Sequence, residues 1–173
     1  MAKVAFVLAD DFEDVEYRIP HQRMVEAGHE VVVIGLRKGS VGGKRGKETV
    51  QVQLTPQEVN PADFDAVVIP GGYSPDKLRM DRGIVHFVSE IARLGKTVAA
   101  VCHGPSLLIE ADLVEGKRVT SWPSIHTDLV NAGAHWEDRP VVEDGNLVTS
   151  RNPDDLEPFS RTILERLAVM APA

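Results

Sequence analysis

Short apolar, β-branched runs alternate with helix-period segments along the whole of this 173-residue chain. The runs fall at residues 4–9, 31–36, 66–69 and 97–101, with later ones at 118–121 and 147–150. A strand that is apolar at nearly every position is buried on both faces, which calls for a parallel sheet covered by helices on each side. The alternation of such strands with helices predicts a doubly wound α/β domain. In such a sheet, ligands bind beyond the carboxyl ends of the strands, where the crossover direction reverses.

The intervening segments fill in the rest. The first predicted helix spans about 12–27, kinked or restarted at Pro20, and stops at Gly28. Residues 39–47, with four glycines, read as a hairpin or arm whose tip carries the basic cluster Lys44-Arg45-Gly46-Lys47. A helix is expected over about 85–94 and a β-hairpin over 141–143 and 147–150, turning at Asp144-Gly145-Asn146. The last helix, about 154–170, lines up Leu156, Phe159, Ile163, Leu167 and Met170 on one face.

The length suits one domain, 1–173, with a sizeable core. A net charge of −7 argues against nucleic acid or an anionic membrane as the main partner. The one cysteine rules out an internal disulfide framework. Only six apolar residues separate Lys3 from Asp10, too few for a signal peptide, and no apolar run is long enough to span a membrane. The cytoplasm is the expected compartment.

Three strands deliver chemistry to the carboxyl edge of the sheet: Asp10-Asp11-Phe12-Glu13 after the first, Pro70-Gly71-Gly72-Tyr73 after the third, and Cys102-His103 after the fourth. Cys102 is followed by His103-Gly104-Pro105 and an apolar helical stretch, the layout that presents a nucleophile at a tight turn. A lone cysteine after an apolar strand is more often a small core residue, but the adjoining His-Gly-Pro favours catalysis. His103 and the end of the following helix are expected to activate the thiol. The amides of Gly72 and His103 form the candidate oxyanion hole. Glu13 is expected beside the sulfur, where burial would raise its pKa and let it donate a hydrogen bond. Taken singly, Gly71-Gly72 could be a plain turn, Glu13 a first-turn helix acid and His103 a solvated loop residue. Their shared sheet edge favours the functional reading.

Other motifs lead away from a cofactor. Gly95-Lys96-Thr97 runs into a strand rather than out of one, unlike a phosphate-binding loop. The glycines of 39–46 make no dinucleotide fingerprint, and the six histidines lack metal-site spacing. No cofactor and no metal are expected. Trp122 and Trp136 read as packing residues.

The segments Ala100-Val101-Cys102-His103-Gly104-Pro105, Ile69-Pro70-Gly71-Gly72, Phe12-Glu13-Asp14-Val15-Glu16, Thr120-Ser121-Trp122-Pro123 and Thr149-Ser150-Arg151-Asn152-Pro153-Asp154-Asp155-Leu156 together resemble the ThiJ/PfpI family. The chain looks most like its PfpI-type intracellular proteases and general stress proteins. That resemblance implies a flavodoxin-like sandwich, a mostly parallel central sheet with helices on both faces, akin to the class I glutamine amidotransferases. It implies Cys102 as nucleophile, His103 as its acid–base partner and Glu13 as the acid that hydrogen-bonds the sulfur. It also implies a homo-oligomer, dimer or hexamer, with the active site at a subunit interface. There an acid from the neighbouring subunit completes the triad, at the position of Asp76, where the family's usual residue is glutamate.

The expected function is a stress-protective cysteine hydrolase acting on an electrophilic carbonyl. Its substrate would be a small dicarbonyl such as methylglyoxal, the adduct that methylglyoxal makes on proteins, or a peptide. The alternative is a non-enzymatic general stress protein, either a redox sensor through Cys102 oxidation or a chaperone. A glutamine amidotransferase is disfavoured, because His135-Trp136-Glu137 follows the cysteine too closely and leaves His103 without a role.

Overall fold

The computed structural model describes residues 1–170, the side chain of Met170 excepted. Six strands form the central sheet: β1 (Lys3–Val7), β2 (Glu30–Ile34), β5 (Ala66–Ile69), β6 (Thr97–Val101), β9 (Val141–Asp144) and β10 (Leu147–Ser150). The order is β2-β1-β5-β6-β10-β9, parallel throughout except for β9. This is the doubly wound, flavodoxin-like arrangement expected, with β9 and β10 as the predicted hairpin. The chain leaves β1 first to one side, for β2, and later to the other, for β5. The crossover direction therefore reverses beside β1 and β5, and β6 lies next to them.

Alternation along each strand divides the core in two. Ala5, Val7, Val67, Ile69, Val98 and Ala100 face one side, under α3 (Arg82–Arg93) and α4 (Pro105–Glu110). Val4, Phe6, Val68, Ala99 and Val101 face the other, under α1 (Asp14–Glu26) and α6 (Leu156–Met170). Helix α6 buries Leu156, Phe159, Ile163 and Leu167, the face predicted for it. Each such side chain contributes about 1.5–3 kcal/mol by leaving water. The place of Met170 on that face, and residues 171–173, lie outside the described residues.

Several expectations change. Helix α1 runs unbroken through Pro20, which is buried inside it. The missing proline N–H costs one intrahelical bond, and burial of that face offsets it. Only Arg118–Val119 of the run 118–121 forms a strand, β7, and it pairs with β8 (His135–Trp136) outside the main sheet. The backbone beyond it bonds inward instead: the Thr120 N–H donates to Thr149 Oγ1 and the Trp122 N–H to the Cys102 carbonyl, both at 2.9 Å. Two short helices were not foreseen, α2 (Ser74–Leu78) and α5 (His126–Asn131). The predicted arm is the hairpin of β3 (Gly39–Gly42) and β4 (Thr49–Val52). Among the described residues, no helix is long and apolar enough to cross a membrane.

Candidate active site

Strand β6 delivers Cys102 to the carboxyl edge, and Cys102 takes φ 63°, in the left-handed region. For a residue with a Cβ this conformation costs about 1–3 kcal/mol, so the surroundings must impose it. Two bonds do so. The Cys102 N–H donates to the Ser150 carbonyl at 3.0 Å, and the Cys102 carbonyl accepts from the Trp122 N–H at 2.9 Å. The bend falls at Cys102 itself, and Gly104 is already helical at φ −51°. Glycine is needed there for close approach: a Cβ would stand 2.6 Å from the Ile69 carbonyl oxygen.

The following helix activates the thiol less than expected. It has six residues, and its Ser106 and Leu107 amides are spent on the His103 and Gly104 carbonyls. Burial first, and then the Glu16 carboxyl, push the Cys102 pKa above its ordinary value, against the His103 N–H and Lys44. The thiol therefore rests protonated and needs a base.

Glu16, not Glu13, is the acid at the sulfur. Glu16 is fully buried on the inner face of α1, and its Oε1 accepts from the Gly71 N–H at 2.9 Å. Its Oε2 is buried without a hydrogen-bond partner. Glu16 Oε1, Cys102 Cβ and the His103 nitrogen all converge on Gly71, within 2.6, 2.9 and 3.0 Å of where a Cβ would be. Burial pushes the Glu16 pKa up to about 8, opposed by the Gly71 N–H and helped by the charge of Glu13. At neutral pH it is mostly a neutral acid, able to donate to a thiolate or a substrate oxygen.

Glu13 is turned the other way. It is the N-cap of α1 in extended conformation, and its carboxylate meets Lys44 Nζ at 2.8 Å and Arg45 Nε at 2.5 Å. Burial raises its pKa, but the two cations outweigh burial and the net shift is downward. The basic cluster is thus a clamp on Glu13 at the rim of the site rather than a solvated tip. Asp14 holds that clamp in place: its buried carboxylate accepts from the amides of Arg45, Lys47 and Glu48 at 2.8–2.9 Å. Burial raises the Asp14 pKa, and these backbone donors bring it below the usual value.

His103 presents Nδ1 to the Cys102 sulfur at 3.4 Å and Nε2 to Ser124 Oγ at 3.1 Å. Burial, and then the charge of Lys44, lower its pKa, which keeps the ring neutral and basic near pH 7. The Gly72 N–H has no acceptor among the described residues. Its φ of +76° comes with very tight packing against the β1 turn, where a Cβ would lie 2.5 Å from the Glu13 nitrogen. Asp76 sits exposed in the first turn of α2, and its carboxylate makes no hydrogen bond or ion pair among the described residues. The structure therefore brings together Cys102, His103 and the turn at Gly72, and turns Glu13 towards Lys44 and Arg45 instead of the sulfur. Trp122 is 41% exposed beside the elbow, so it is not the packing residue expected; Trp136 packs against the core and donates from Nε1 to Ser121 Oγ.

Comparison with known proteins gives a consistent result. The sequence model of the DJ-1/PfpI family matches residues 2–166. Deglycase PfpI of Pyrococcus furiosus is 44% identical over 165 residues, covering 95% of this chain and 99% of the relative. General stress protein 18 of Bacillus subtilis is 47% identical over 167 residues, covering 95% and 97%. Among solved structures, a two-domain protein from Anabaena variabilis with DJ-1/ThiJ/PfpI-like and ferritin-like domains superposes with a TM-score of 0.96 at 48% identity. The match covers 97% of this chain and 48% of that one.

Proposed function

The chain belongs to the DJ-1/PfpI family, and from that premise we propose that it is a stress-protective, cysteine-dependent hydrolase of electrophilic carbonyls. The observation that carries this reading is the buried thiol on a strained elbow, with a neutral imidazole nitrogen 3.4 Å from its sulfur. Relatives named deglycase and general stress protein support it.

The chemistry follows from the geometry. Cys102 gives its proton to His103 Nδ1 as the sulfur bonds to the aldehyde carbon of a 2-oxoaldehyde such as methylglyoxal. The carbonyl electron pair moves onto oxygen, where the Gly72 and His103 amides receive it. Glu16, protonated at neutral pH, donates to the developing charge. Moving the proton of that carbon to the neighbouring carbonyl carbon converts the adduct to a thioester, and water releases a 2-hydroxy acid. The sum takes up one water and needs no external electron donor. An adduct of the same dicarbonyl on a protein amine would meet the same groups. Asp76 enters this reading only as a residue of a second copy in a homo-oligomer, consistent with its exposure on α2.

A second reading rests on the Glu16 carboxyl, which interacts with Cys102 and has its Oε2 buried without a hydrogen-bond partner. A neutral acid there would hydrogen-bond an oxidised sulfur, so the same site suits oxidation sensing. One experiment separates the two: turnover of methylglyoxal, a methylglyoxal-modified peptide and an unmodified fluorogenic peptide by wild type, Cys102→Ala and His103→Ala. The hydrolase reading expects turnover of the carbonyl substrates that both variants lose. It is wrong if wild type turns over none of them faster than Cys102→Ala.

A further inference from the structure

The tip of the β3–β4 hairpin is fixed against the active-site turns by backbone rather than by its own charges. Phe12 bridges to Gly43 on one side and to Gly72 on the other, so the three segments lie side by side. The Lys44 N–H donates to the Phe12 carbonyl at 2.8 Å. The fully buried Asp14 carboxylate holds the amides of Arg45, Lys47 and Glu48 at 2.8–2.9 Å. The tip is therefore pre-positioned, and Lys44 leans over the turn that carries the Gly72 amide. Its Nζ lies 5.7 Å from the centre of the ring of Tyr73, the residue after Gly72.

Two cations at this rim bond a single carboxylate. Lys44 Nζ meets Glu13 Oε2 at 2.8 Å, and Arg45 Nε meets Glu13 Oε1 at 2.5 Å. Asp14 spends its oxygens on backbone amides, and Asp11 pairs with Lys77 at 2.6 Å. Of the two cations, Lys44 is the less exposed, its side chain 32% accessible against 58% for Arg45. Burial is the largest influence on the pKa of Cys102, Glu16 and His103, and the charge of Lys44 bears on each of them as well. An ammonium has three donors and Glu13 takes one, so a second carboxylate can be received without breaking the clamp. In a chain of net charge −7, such a spot is where an anion is drawn in.

We infer that Lys44 is a specificity residue, selecting carbonyl substrates that carry a carboxylate on the side of the molecule facing the hairpin tip. The inference rests on the hydrolase reading for its catalytic consequence, but the charge preference at the sulfur is measurable without turnover.

The single cysteine supplies the test. The Cys102 thiolate displaces iodide from iodoacetate and from iodoacetamide by the same reaction, so the ratio of the two rates cancels the thiolate fraction and reads the charge around the sulfur. Wild type, Lys44→Met, Lys44→Arg and Arg45→Met are compared in their native assembly, where charges from a second copy are common to all. The iodoacetate-to-iodoacetamide ratio should fall about 3- to 5-fold in Lys44→Met, the worth of one part-exposed ion contact. It should move less in Arg45→Met and recover in Lys44→Arg, and added salt should bring wild type towards Lys44→Met. In turnover, wild type should favour 4-carboxyphenylglyoxal over its neutral methyl ester in kcat/KM, and Lys44→Met should lose that preference by the same factor. The inference is overturned if Lys44→Met keeps either wild-type ratio, or if Arg45→Met moves the alkylation ratio more. If wild type turns over neither glyoxal, the hydrolase reading fails, and the charge preference stands or falls on the alkylation ratio.

Discussion

Replacing Glu16 by glutamine keeps the shape of the side chain and removes its titration. The glutamine carbonyl can still accept from the Gly71 N–H, as Glu16 Oε1 does at 2.9 Å. In wild type the carboxyl titrates near 8 when folded against an ordinary 4.5, because burial disfavours the charged form. The folded state therefore holds a proton that the unfolded chain releases across that interval. The stability this confers is full below pH 4.5 and is lost as pH rises through about 8. At 1.36 kcal/mol per unit the interval is worth about 5 kcal/mol as an upper bound, and about 2–5 kcal/mol once the buried site relaxes. Guanidinium unfolding of wild type and Glu16→Gln from about pH 4.5 to about pH 9 measures it, because other titrations cancel in the difference. Relative to wild type, the variant should gain steadily as pH rises, by that amount over the range. A difference that stays flat with pH would refute the buried, protonated Glu16.

Further outcomes follow from single contacts. Gly71→Ala puts a Cβ 2.6 Å from Glu16 Oε1 and 2.9 Å from Cys102 Cβ; thermal unfolding should show a loss of about 1–3 kcal/mol from overpacking, accompanied by lost turnover. Glu13→Gln removes a charge that acts on Cys102 only through Glu16 and Lys44, so the pH dependence of Cys102 alkylation should shift less in Glu13→Gln than in Glu16→Gln. Arg151 meets the buried Asp155 through Nε at 2.9 Å and Nη2 at 3.0 Å. Asp155→Ala should therefore cost about 2–3 kcal/mol in denaturant unfolding with little change in KM, since the pair anchors the chain after β10 and does not touch the site.

The fold was legible because parallel strands buried on both faces must be apolar at nearly every position, as in Ala66-Val67-Val68-Ile69 and Val98-Ala99-Ala100-Val101. The site edge followed from it, since Gly71-Gly72 and Cys102-His103 end adjacent strands. The choice of acid failed on helical phase. Glu13 precedes α1 in extended backbone, whereas Glu16 lies one turn in, on the stripe with Pro20 and Met24 that faces the core. A glutamate in a buried stripe was the available signal. The helices α2 and α5 span only five and six residues, too short for a hydrophobic period to declare itself. Ser124 left no local trace either. Its place depends on the Cys102 carbonyl holding Trp122, a contact between segments that spacing alone does not reveal.

That the elbow thiol carries the chemistry is testable through a property of the chain itself, its single cysteine. Graded alkylation with iodoacetamide, followed by intact mass and by methylglyoxal turnover on the same samples, relates label to activity at one known atom. Activity should fall in proportion to label and reach zero at one group per chain. Full labelling of Cys102 with turnover retained would contradict the account.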